Sequence, residues 1–97
     1  MLTVKEISVS GQQIAEVLNT TTLKILKAVR NEPLDVSTIS KRLGLSESHV
    51  SHEVRALEEL NLINVTYERG KRGIRKISSS TIEKITINIG DEDHSFF

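Results

Sequence analysis

Val50, Val54, Leu57 and Leu60 recur at steps of four, three and three, so "LSESHVSHEVRALEELNLI", residues 45 to 63, predicts a helix with one apolar face. Ser46 supplies a side-chain cap for its first turn, and Glu47 adds a negative charge where the helix dipole favours one. Asn61 marks its end, since asparagine follows glycine in tolerating a left-handed C-terminal position. Upstream, Val36, Ile39 and Leu43 predict a shorter helix that Asp35 caps and Gly44 stops. A helix from Thr22 to Arg30 would bury Leu23, Leu26 and Val29, with the hydroxyls of "NTTT" as capping groups and Pro33 closing the segment. An earlier helix from Gly11 to about Leu18, capped by Ser10, gathers Ile14, Val17 and Leu18 on one side.

Elsewhere the period falls to two. Residues 2 to 8 predict a short strand, "LINVTYER" a second, "GKRG" a turn, and "IRKISSS" the returning strand. "TIEKITINI" puts Ile85, Ile87 and Ile89 on one face of a terminal strand. The fold class that follows is α+β: a winged helix-turn-helix with four helices, a β-hairpin wing and extra N- and C-terminal strands. Residues 1–90 make one such domain, and residues 91–97 an acidic tail expected to be flexible.

The face of the 46–61 helix opposite its apolar stripe opens with Ser46, Ser48, His49, Ser51, His52 and Arg55. Short hydroxyls let a backbone approach a surface closely, and imidazole and guanidinium supply donors. Set outward in the first turns of a second helix, they suit a major groove about 12 Å wide. Gly44 permits the tight turn before this helix, and Ser40 is small where the two helices cross.

Charge sharpens the picture. The 97 residues carry 13 basic and 13 acidic side chains, which argues against a generically basic nucleic-acid coat. Yet residues 69 to 76, "RGKRGIRK", hold five bases and no acid, and "DED" at 91 to 93 gathers three acids in the tail. Without those three acids the chain has 13 bases against 10 acids. Arg69, Lys71 and Arg72 at the hairpin tip are therefore candidate backbone or minor-groove contacts, and Lys41 and Arg42 weaker phosphate candidates. A charged tip also suits any solvated turn.

The chain has no cysteine, hence no disulfide and no thiolate metal site. His49 and His52 lie three apart on one helical face, but only His94 could add a third imidazole, so no metal or other cofactor is expected. No Gly-rich phosphate loop, nucleophile elbow or His-Glu-x-x-His signature occurs, and "HVSHE" has its glutamate in the wrong place for a metalloprotease, so an enzyme is not expected. No apolar run reaches the roughly 20 residues of a membrane span, and the N-terminus lacks a secretory h-region. A cytoplasmic protein is the expectation.

These residues also carry a resemblance. "VSTISKRLGLSESHVSHEVRALEELNLI" resembles the helix-turn-helix of ArsR-type winged-helix regulators, with a Val-Ser-His core in the recognition helix. "AEVLNTTTLKILKAV" resembles the element that precedes it in that family, so the likeness runs from residue 14 to about 76. The leading strand and the isoleucine-rich terminal strand are similar to those of compact archaeal members. Departures are Thr20 and Thr22 where the family often has proline and arginine, Asn61 in place of glycine, Glu53, and the absence of sensor cysteines. The resemblance implies a homodimer that binds double-stranded DNA and regulates transcription, without thiolate-based metal sensing. Helix 46–61 would then lie in the major groove and the wing, about 69–73, on backbone or minor groove. The alternative is a winged-helix module that docks on another protein without specific DNA binding. Ile14, Val17, Leu18, Ile85, Ile87 and Ile89 are expected at the dimer interface.

Overall fold

A computed structural model describes residues 6–88. Along the chain it runs β1 (Glu6–Ser10), α1 (Gly11–Ala15), α2 (Thr20–Asn31), β2 (Leu34–Asp35), α3 (Val36–Leu43), α4 (Glu47–Glu59), β3 (Asn64–Gly70), β4 (Gly73–Ser79) and β5 (Lys84–Asn88). This is an α+β winged helix, with α1 a five-residue turn and three longer helices that build the helical layer. The expected strand over residues 2–8 is seen from Glu6 onward, and the predicted acidic tail at 91–97 lies outside the described residues, as does Ile89.

The core joins Ile25 and Val29 of α2, Ile39 of α3, Val50, Val54 and Leu57 of α4, and Leu62 and Ile63 after α4. The predicted face of α4 is buried as expected, whereas that of α2 is rotated. Thr22, Ile25 and Val29 form its buried stripe at steps of three and four, and Leu23 is 49% exposed. A threonine is buried there because its hydroxyl is fully used: it donates to the Val17 carbonyl at 2.7 Å and accepts the Asn19 N–H at 2.9 Å. Asn19 in turn accepts from the Thr22 N–H at 2.9 Å, so Asn19 rather than a threonine caps α2. Ile14, expected at an interface, is 3% exposed and belongs to the core of the single chain. Val17, Leu18 and Ile85 are partly buried against the same core.

Helix ends follow their caps. The Asp35 carboxylate accepts the Thr38 N–H at 2.8 Å, and Ser46 accepts the His49 N–H at 3.0 Å. Gly44 closes α3 at φ 68, where a Cβ would be strained. Asn61 closes α4 at φ 61: its N–H donates to the Glu58 carbonyl at 2.9 Å, and that of Leu62 to the Leu57 carbonyl at 3.0 Å. Leu57 and Leu62 are both buried, which completes a Schellman end.

Two sheets result. In one, β4 lies between β2 and β3, antiparallel to both. Leu34–Asp35 is a strand that hydrophobic alternation cannot reveal, because two residues hold no period. Gly70 pairs with Gly73, so the hairpin loop is only Lys71–Arg72, tighter than the expected four-residue turn. The other sheet pairs β1 with β5 in parallel, Ile7 opposite Ile85 and Val9 opposite Ile87. The first and last of the described elements thus lie side by side.

Candidate nucleic-acid interface

The turn between α3 and α4 is held from inside. Ser40 is buried, its hydroxyl donates to the Leu45 carbonyl, and its own carbonyl accepts the Leu45 N–H at 3.1 Å. A larger side chain would part the helices, and one without a hydroxyl would leave that carbonyl a donor short. With Val50, Val54 and Leu57 locked inward, the outward direction of every other α4 side chain is set.

Ser46, Ser48, His49, His52 and Arg55 are exposed, and Ser51 is half-buried at the margin of the face. Ser48, His52 and Arg55 fall at steps of four and three, one stripe along the helix, with His49 beside it. The His52 side chain is 80% exposed and that of Arg55 78%, and among the described residues their only ionic neighbours are loose: Glu53 at 4.0 Å from His52 and Glu59 at 3.9 Å from Arg55. Contacts of that length at such exposure contribute little, so both groups are free to take a partner. Among the described residues no group of three metal-ligating side chains occurs, and His94 lies outside them.

At the wing, Arg69, Lys71 and Arg72 are all exposed and make no ion pair among the described residues. Arg75, one of the five bases of the cluster, is committed elsewhere. Its Nε and Nη2 donate to one oxygen of Asp35 at 3.0 and 2.6 Å. Asp35 therefore does two jobs, capping α3 and anchoring the base of the wing. Hydrogen bonds from Thr38, side chain first and backbone second, together with Arg75, lower its pKa from 3.8 to about 2. Arg75 reaches Asp35 by crossing Gly70, where an added Cβ would stand 2.8 Å from the Arg75 Cδ. Sequence spacing did not expose this tie, because its two ends are 40 residues apart. Of the weaker phosphate candidates, Arg42 pairs with Glu32 at 2.9 Å, and Lys41 is exposed without an ion pair among the described residues.

Residues 19–65 match the family described as bacterial regulatory protein, arsR family. The HTH-type transcriptional regulator NmtR of Mycobacterium tuberculosis is 42% identical over 41 residues, which is 42% of this chain and 34% of that protein. Among solved structures, reduced HlyU from Vibrio cholerae superposes with a TM-score of 0.58 at 24% identity, over 72% of this chain and 66% of that one. NolR from Sinorhizobium fredii gives 0.57 at 26% identity, over the same shares. A homodimeric winged helix-turn-helix DNA-binding domain of a possible ArsR-family regulator from Mycobacterium bovis gives 0.62 at 21%, over 72% and 62%. The chain thus spans about a third of the curated relative and just under two thirds of these structures.

Proposed function

The chain carries a helix-turn-helix domain of the ArsR family, and on that premise we propose that it is a sequence-specific DNA-binding transcriptional regulator that acts as a homodimer. Helix α4 enters the major groove. Ser46, Ser48, His49, Ser51 and His52 reach base edges or nearby phosphates, and Arg55 reaches phosphate. Arg69, Lys71 and Arg72 take the backbone or the adjacent minor groove. The observation that carries this reading is the pairing of two exposed surfaces on one rigid frame. The basic wing tip, without an ion pair among the described residues, is tied at its base to the start of α3 through Arg75 and Asp35, and α3 is held to the polar start of α4 through Ser40 and Leu45. Such a protein works by binding rather than by catalysis, in the cytoplasm with its operator. No helix among the described residues is long and apolar enough to cross a membrane.

Homodimerisation is supported by the open β1–β5 sheet. Its apolar side continues past the core to Ile87, which is 42% exposed. A twofold contact there would set two α4 helices about 34–36 Å apart, one turn of DNA, and require a near-palindromic site.

Selection of bound fragments from a random duplex pool, followed by gel shifts at several salt concentrations, tests the reading. A recurrent near-palindrome bound with a steep salt dependence is expected. Failure to retain any duplex would refute it and leave a protein-docking module. Light scattering of the parent and of Ile87→Glu tests the dimer, which a monomeric parent at micromolar concentration would rule out.

A further inference from the structure

The two faces of the wing are chemically different. In the three-stranded sheet, Leu34, Ser78 and Val65 stand side by side in register, and Leu34 and Ser78 are buried under the helices. Side chains two residues further along each strand lie on that same side. They are Tyr67 opposite Lys76, then Arg69 opposite Ile74. The sheet's helix-facing side therefore runs on beyond the helices as an uncovered patch. Tyr67 is 65% and Ile74 77% exposed, the two most exposed large apolar side chains among the described residues. Arg69 and Lys76 flank them without an ion pair among those residues, and no acid shares the face. Glu68 and Arg75 lie on the reverse side, where Arg75 is bound to Asp35.

An apolar pair set between free cations fits a surface that is itself apolar between rows of phosphates. The minor groove is such a surface: its walls are deoxyribose rings and its rims are phosphate. Resting on the reading that the domain binds duplex DNA, we propose that this face of the wing, and not its tip alone, seats in the minor groove beside each half-site. Ile74 and Tyr67 pack against sugars and the groove floor, while Lys76 joins Arg69 on the phosphate rims. Apolar contact also confers a base preference. The guanine 2-amino group projects into the minor groove, and an aliphatic side chain over it leaves that donor without a partner. The wing accordingly selects A·T pairs in the flank that it covers, through Ile74.

The test uses the intact chain and a selected operator whose flanking pairs are changed one at a time from A·T to G·C, and then to inosine·C. Inosine removes the minor-groove amino group and keeps the major-groove pattern of guanine. The parent should bind the G·C flank roughly tenfold more weakly, the scale of one buried donor left unpaired, and recover on inosine·C. Ile74→Thr, still β-branched and so still suited to a strand, should lose that discrimination without altering the salt dependence. Lys76→Ala should weaken binding to every duplex evenly and reduce the slope of log K against log salt by about 0.9 per protomer. Glu68→Gln, on the reverse face, should not weaken binding. The proposal is overturned if Ile74→Thr keeps the flank preference, or if Ile74→Thr, Tyr67→Ala and Lys76→Ala all bind like the parent. In either case loss of binding in α4 variants would leave the broader reading standing. A parent that binds no duplex removes both.

Discussion

Asp35 stakes a measurable part of the fold on one carboxylate. A pKa held from 3.8 down to about 2 corresponds to about 2 kcal/mol of folding stability near neutral pH. The Asp35 side chain is 16% exposed and Arg75 52%, so solvent screening trims the figure towards ~1.5. An independent count agrees: an N-cap contributes about 1 kcal/mol, and a half-exposed ion pair up to about 1. Asp35→Ala removes both and should lose about 2 kcal/mol at pH 7. Asp35→Asn keeps a competent cap but not the charge, and should lose about 1. For a domain of this size, whose urea m-value is about 1 kcal/mol/M, the midpoints should fall by roughly 2 and 1 M. The sign of the pH dependence follows from the depressed pKa. The advantage of the parent over Asp35→Asn is complete above the unfolded value of 3.8 and is lost as the pH falls towards about 2. Urea unfolding followed by circular dichroism at intervals from pH 7 to pH 2.5 reads the difference, because the other carboxyls cancel between the two proteins. A gap that stays constant with pH, or an Asp35→Asn midpoint equal to the parent's at pH 7, would refute the carboxylate's double role.

Arg72→Ala should reduce the slope of log K against log salt by about 0.9 per protomer, and an unchanged slope would leave the wing tip a solvated turn. His52→Ala should cost about 1–3 kcal/mol at one operator position per half-site while leaving non-specific binding nearly intact; equal losses on operator and random duplex would assign His52 to phosphate instead. Gly44→Ala places a Cβ at φ 68 with open space around it, so the loss of about 1–2 kcal/mol in urea unfolding should come from backbone strain alone. The Ser78 hydroxyl is buried and has no hydrogen-bond partner among the described residues, so Ser78→Ala should stabilise the fold by about 1 kcal/mol. A lower melting temperature for that variant would show that the hydroxyl is satisfied in solution.

Local signals are enough to locate α3 and α4. A cap, a run at helical spacing and a left-handed stop are each read within one turn of chain, and Asp35, Gly44, Ser46 and Asn61 take the conformations those signals require. The polar start of α4 and the basic hairpin were legible for the same reason. In α2 the pattern pointed to Leu23, and packing chose otherwise. Leu23 and Ile25 both suit the core, and Ile25 took it because Thr22, three residues before, closes the capping box from inside. Ile14 looked like surplus apolar area, and it is buried because α1 packs against the paired β1 and β5. The two-residue β2 and the 40-residue reach from Arg75 to Asp35 had no local signature at all. Nor did the side of the wing on which Tyr67 and Ile74 emerge. Alternation states only that alternate residues share a side; which side meets the helices depends on the pairing of β4 with β2, and that pairing exists only in the folded chain.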